Sequence, residues 1–166
     1  MGEYTDLYDE NKNLTGEKIF RKKGEKSNTP EGRYTIVVLA IIENENNEIL
    51  VQKTSARKKG IWALQGGHVK SGQNSYEAIQ EELLEEMSIN VDMDEIKLFK
   101  TYKYENAFKD VFYIRKNYDL TKIKVEEDEV EQVVYLSKYD IFKLIEEDKF
   151  RKTNLDALND FYTKTS

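Results

Sequence analysis

Cysteine is missing from the 166 residues, and proline occurs once, at Pro30. Without thiols the chain has neither disulfides nor a sulfur nucleophile, which suits a reducing cytoplasm better than a cross-linked secreted scaffold. No apolar run approaches the roughly 20 residues that a helix needs to cross a bilayer. Met1 to Glu10 is acidic and polar, unlike a signal peptide. Basic charge is also in short supply: 26 Lys and Arg against 32 Asp and Glu leave a formal net charge of -6. That balance argues against a nucleic-acid polymer as partner, because a phosphate backbone demands a basic face. The length is that of a single domain, 1–166, able to bury its own core.

What the chain does have is concentrated between Gly66 and Ile89. A glycine-rich loop, with Gly66, Gly67 and Gly72, leads into a run crowded with carboxylates. Asn74 is a good N-cap and Glu77 stands where the reciprocal capping partner belongs, so the spacing predicts a helix from Ser75 to about Met87. On that helix Glu82, Glu85 and Glu86 share one face at i, i+3 and i+4, while Ile79, Leu83 and Met87 form an adjacent apolar stripe. Like charges at such spacings repel by a few tenths of a kcal/mol per pair. A divalent cation would remove that penalty, and carboxylate oxygens are the ligands Mg²⁺ or Mn²⁺ prefer. The alternative is an acidic helix face that merely meets water.

The same residues resemble the signature of the Nudix hydrolases: Gly, five residues, Glu, seven residues, Arg-Glu, an aliphatic, any residue, Glu-Glu, any residue, Gly, aliphatic. Laid on this chain without gaps, it places Gly67 first, Glu82 at the Glu of Arg-Glu, Leu83 and Ile89 at the aliphatic positions, and Glu85 and Glu86 at the Glu pair. Three positions depart: Gln73 stands for Glu, Glu81 for Arg and Ser88 for Gly. In the family the loop Glu and helix Arg can pair; here the amide of Gln73 facing Glu81 would replace that ion pair with a hydrogen bond. The box would then carry one extra negative charge. Asp6 to Asp9, the Leu14-Thr15-Gly16 turn, the Leu50 to Lys53 strand and Trp62 before Gly66-Gly67 are similar to the subgroup related to isopentenyl diphosphate isomerase.

The resemblance implies an α/β (α+β) Nudix fold, a mixed β-sheet sandwiched between helices. It implies Mg²⁺ (or Mn²⁺) held by Glu82, Glu85 and Glu86 with the Gly67 carbonyl, and hydrolysis of a diphosphate linkage in a nucleoside diphosphate-type small molecule. The general base comes either from the box, at Glu85 or Glu86, or from outside it, at Glu129. Two other functions compete: a catalytically weak sensor of nucleotides or diphosphates, and an isomerase, whose catalytic cysteine has no counterpart here. A homodimer is compatible with the sequence.

Around the box, Thr5 to Tyr8 and Glu17 to Arg21 flank a turn-rich run and predict an N-terminal hairpin over about 4–21, read as packing, with a part in specificity as the alternative. Lys22 to Arg33 reads as a loop. Tyr34 to Ile42 reads as a buried central strand and Glu48 to Lys53 as its neighbour. Arg57, Lys58 and Lys59 form a basic segment that either meets the substrate's charge or faces water. His68 ranks below the glutamates as a ligand, and Trp62 reads as a core anchor. Ile96 to Tyr104 and Lys109 to Arg115 alternate as a hairpin, and Val130 to Leu136 as a later strand. Ser137 caps a helix to Glu147, and Thr153 with Asp156 suggests a capping box for a helix ending near Tyr162.

Overall fold

In the computed structural model, which describes residues 2–22 and 28–165, the chain opens with an antiparallel hairpin, β1 (Gly2–Tyr8) and β2 (Leu14–Lys22). There follow β3 (Thr35–Glu43), β4 (Ile49–Thr54), β5 (Trp62–Ala63) and β6 (Gln65–His68), then helix α1 (Ser75–Met87). The second half supplies β7 (Lys97–Lys103), β8 (Ala107–Arg115), β9 (Val130–Leu136), α2 (Lys138–Glu146) and α3 (Leu155–Thr165). The expected loop from Lys22 to Arg33 lies partly outside the described residues.

Strand β3 is the spine of a seven-stranded mixed sheet of order β5-β4-β3-β8-β7, with β6 added to β3 and β9 to β4. It runs parallel to β8 from Thr35 opposite Ala107 to Glu43 opposite Arg115. A strand covered on both faces needs apolar side chains at consecutive positions, and Ile36 to Ile42 meets that demand. Successive side chains point to opposite faces. Val38, Ala40 and Ile42 therefore pack toward Ile79, Leu83 and Met87 of α1, while Leu39 and Ile41 meet Ile141 of α2 and Leu158 and Phe161 of α3. Each fully buried Ile, Leu or Met on α1 contributes about 1.5–3 kcal/mol. The result is the mixed sheet between helices that the resemblance implied.

The N-terminal hairpin is longer than expected, and Leu14 opens β2 rather than lying in a turn; the reversal is Asp9 to Asn13, with Lys12 at φ 67°. It is strapped across the loop that precedes α1. Thr5 Oγ1 donates to the Val69 carbonyl at 2.9 Å, and Ser71 N–H donates to the Tyr4 carbonyl at 2.9 Å. Asp6 accepts from the Ser71 hydroxyl at 2.6 Å and from Gly72 N–H at 2.9 Å. At its far end Lys12 pairs with buried Asp110 at 2.7 Å, which also accepts from Ser75 and Thr101.

One capping box is absent. Thr153 lies inside a 3₁₀ turn that runs straight into α3, and the Asp156 carboxylate is taken by Lys109 and Tyr104 instead. The tertiary ion pair wins because Lys109 is buried and would otherwise lack a counter-charge.

Candidate active site

Local chemistry sets the start of α1. The Asn74 side chain accepts from Glu77 N–H at 2.8 Å, and Glu77 accepts from Asn74 N–H at 2.9 Å. The helix ends at Ser88, which adopts the left-handed conformation at φ 57°. Between these caps Ala78, Ile79, Leu83 and Met87 are buried against the sheet, which turns Glu82, Glu85 and Glu86 toward β6 and a cleft of about 730 Å³.

Gly67 lies on β6 directly beneath Glu82: a Cβ there would strike the Glu82 carboxylate, and one on Gly66 would strike the Val38 carbonyl. The two glycines thus let helix, carboxylate and strand close on one another. Glu129, just before β9, reaches the same cleft at 3% exposure. All five residues singled out in the sequence, Gly67, Glu82, Glu85, Glu86 and Glu129, line it together.

This gathering carries an electrostatic cost. Burial, then the charges of Glu86 and Glu85, push the Glu82 carboxyl up to about 8. Burial is also the main reason that Glu86 rises to about 7, with Glu129 and Glu126 adding to it against Lys58. Glu85 is raised as well, by its partial burial, with Lys70 opposing. Among the described residues Glu86 Oε1 is buried without a hydrogen-bond partner, and a buried acceptor left unmet costs about 1–3 kcal/mol. Among the described residues no three acidic or imidazole side chains stand in ready-made ligand geometry. The donor set nevertheless fits a divalent cation: hard oxygen ligands, an orphaned carboxylate oxygen, and a glycine whose missing Cβ leaves room for the carboxylate above it.

The cations of the cleft are mostly engaged. Glu129 pairs with Arg57 at 3.0 Å and with Lys58, so two residues of the basic segment hold a carboxylate while their side chains stay partly in water. Lys70 pairs with Glu81 and stands 3.8 Å from Glu3 and 3.9 Å from Glu85. Gln73 Nε2 donates to Glu81 at 2.9 Å, the hydrogen bond expected from the two substitutions, but Lys70 was missed; a loop lysine eleven positions before a helix glutamate is visible as a pair only once the loop's path is known. His68 is neutral, its imidazole lowered to about 4 by burial and then by Arg21, with Nδ1 buried and unpartnered. Trp62 is half-buried against the core on the α2 and α3 side.

The family profile described as the NUDIX domain matches residues 33–158. The chain belongs to the Nudix family. Among relatives of this Nudix chain, an uncharacterized Nudix hydrolase of Listeria monocytogenes is 30% identical over 140 residues, covering 82% of this chain and 80% of the relative. One from Listeria innocua is 31% identical over 137 residues, covering 80% and 79%. A solved Deinococcus radiodurans structure superposes with a TM-score of 0.75 at 17% identity, covering 95% of this chain and 98% of that one. A MutT structure, from work on the Aliivibrio salmonicida and Vibrio cholerae proteins, gives 0.63 at 22%, covering 79% and 98%. Both structures share the fold. As a Nudix hydrolase the protein is an enzyme that acts on nucleoside diphosphate-linked substrates.

Proposed function

We propose that this Nudix hydrolase is a Mg²⁺- or Mn²⁺-dependent enzyme that cleaves the diphosphate linkage of a nucleoside diphosphate-type small molecule in the cytoplasm, as a single domain over 1–166. The observation that carries the reading is the convergence of Glu82, Glu85, Glu86 and Glu129 on one cleft, with a Glu86 oxygen buried and unmet. Glu82, Glu85 and Glu86 would hold the cation, with the Gly67 carbonyl as a backbone ligand. When bound, the cation neutralises anhydride oxygens and acidifies the attacking water.

Three carboxylates compete for the water's proton, and of these Glu86 is largely buried in the cleft, with one oxygen that meets no donor among the described residues. Glu129 is held by Arg57 and Lys58, which occupy its oxygens; Glu85 has half of its side chain exposed. This favours Glu85 as the base and gives Glu129 the task of fixing the basic segment at the cleft. The sensor reading rests on Gln73 and Glu81. Because Lys70 pairs with Glu81, the box does not carry an uncompensated extra charge, which supports the catalytic reading.

The test is turnover of nucleoside di- and triphosphates, nucleotide sugars and dinucleoside polyphosphates with Mg²⁺, with Mn²⁺ and with chelator. Divalent-dependent cleavage of at least one class is expected. Binding without turnover across the panel, or turnover that chelator leaves untouched, would overturn the reading.

A further inference from the structure

The cleft has a wall that lies outside the box. Gly2, Glu3 and Arg21 of the hairpin line it together with Gly67, His68, Lys70 and the glutamates. The hairpin is no loose appendage, because Thr5, Asp6 and the Tyr4 carbonyl bind residues 69 to 72, the loop that delivers α1. Whatever β2 projects inward is therefore held at a fixed place relative to Glu82.

Arg21 is what it projects. Its side chain is only 14% exposed, and among the described residues its buried Nε–H meets no acceptor. Among the described residues its nearest carboxylate is Glu3, the cross-strand neighbour, at 3.9 Å, which is beyond hydrogen-bond reach. Arg57, Lys58 and Lys70 line the same cleft, and each is committed to a closer glutamate. A guanidinium presents a planar fork that matches two oxygens of a phosphate. Burying one beside a site built from glutamates, with donors unspent, is costly unless an anion arrives.

We propose that Arg21 is a substrate-binding residue, which takes the phosphate of the diphosphate that is not engaged by the glutamates. The assignment deepens the proposed function and rests on it for the identity of the ligand. It makes the hairpin part of the binding site as well as packing. It also places the two phosphates of the substrate between α1 on one side and β2 on the other.

The experiment compares wild type with Arg21→Gln and Arg21→Lys. Its binding arm uses methylenediphosphonate, whose P–C–P bridge cannot be hydrolysed, titrated calorimetrically in the presence of Mg²⁺. The Kd should rise about 10- to 100-fold in Arg21→Gln, the loss expected for a charge-assisted two-point contact, and Arg21→Lys should recover part of it. In turnover the same variant should raise KM by a similar factor with kcat within about threefold, since the contact exists before and during reaction. Melting temperatures report on folding separately. An unchanged Kd in Arg21→Gln, absence of wild-type binding, or equal loss in both variants with equally lowered melting temperatures overturns the assignment. Tight, Arg21-dependent binding in a protein that hydrolyses nothing would leave this assignment standing while the hydrolase reading fell.

Discussion

Gln73 donates its amide to the Glu81 carboxylate at 2.9 Å and accepts Lys70 N–H at 3.0 Å, while Lys70 Nζ closes on the same carboxylate. The polarity of the family's pair is reversed: the carboxylate sits on the helix and the cation on the loop. That cation holds the Glu81 carboxyl below its usual range, chiefly through their hydrogen bond.

Glu81→Arg alone should therefore set a second cation against Lys70 and leave Gln73 with nothing to donate to. Mg²⁺ affinity should fall as the loop is pushed away from α1. Adding Gln73→Glu should recover much of the loss, with a coupling energy of about 0.5–3 kcal/mol, as residues in contact show. Mg²⁺ dissociation constants for the four proteins decide it; additivity within about 0.3 kcal/mol would mean that the two positions act separately.

The raised carboxyls make a prediction for pH. Relative to the ordinary value of 4.5, Glu82 at about 8 and Glu86 at about 7 hold protons in the folded state that the unfolded chain has released. Their contribution to stability is fully present below about pH 4.5 and is lost as pH rises through about 7 and 8. With chelator, the melting temperature should fall between pH 6 and 8.5, and the fall should be smaller in Glu86→Gln. Added Mg²⁺ replaces the protons, so its stabilisation should be larger at pH 8.5 than at pH 6. A metal-free protein whose melting temperature rises over that interval would contradict the burial of these groups.

Glu85→Gln and Glu86→Gln remove an anionic ligand at nearly constant volume. Each should lower the rate at least about a hundredfold, the scale of losing one preorganised electrostatic group. Both should fold, with chelator-treated stability equal to wild type or higher by a few tenths of a kcal/mol, since like-charge pairs on α1 are relieved. Full divalent-dependent turnover in both variants would remove them from the metal site.

Ser88 carries a Cβ at φ 57°, a conformation that costs a residue other than glycine about 1 kcal/mol. Its hydroxyl returns little, through a 3.3 Å exposed hydrogen bond to the Lys124 carbonyl. Ser88→Gly should stabilise by a few tenths to about 1 kcal/mol in urea denaturation. A lower midpoint would mean that the Lys124 contact outweighs the backbone strain.

What the sequence shows and hides follows from the range of the forces. Helix α1 is legible to the residue because its caps, Asn74 and Glu77, and its left-handed stop, Ser88, are all local. The central strand is legible from its unbroken apolar run. Its parallel partnership with β8 is not, because nothing in Thr35 to Glu43 names a strand some seventy residues away. The same limit explains the capping box misread at Asp156, whose partners Lys109 and Tyr104 come from β8 and the turn before it. It also explains why the shared face of Glu82, Glu85 and Glu86 was legible while the presence of Arg21 in the same cleft was not. The three box glutamates follow a helical spacing, whereas the place of Arg21 depends on how Asp6 and Thr5 dock the hairpin onto the glycine loop.

That close packing gives Gly67 a sharp test. A methyl group in Gly67→Ala would land on the Glu82 carboxylate, so Glu82 must swing out of its position above β6 or the helix must back away. Either movement should cost about 1–3 kcal/mol of stability, the range for overpacking, and at least about a hundredfold in rate because a ligand is lost. Truncating the obstructing side chain separates the two effects. Gly67→Ala combined with Glu82→Ala should recover most of the stability, since the methyl now has space, yet recover none of the activity. Melting temperatures and divalent-dependent rates of Gly67→Ala, Glu82→Ala and the double variant provide the check. A Gly67→Ala protein as active as wild type would show that Glu82 does not work from the place where β6 holds it.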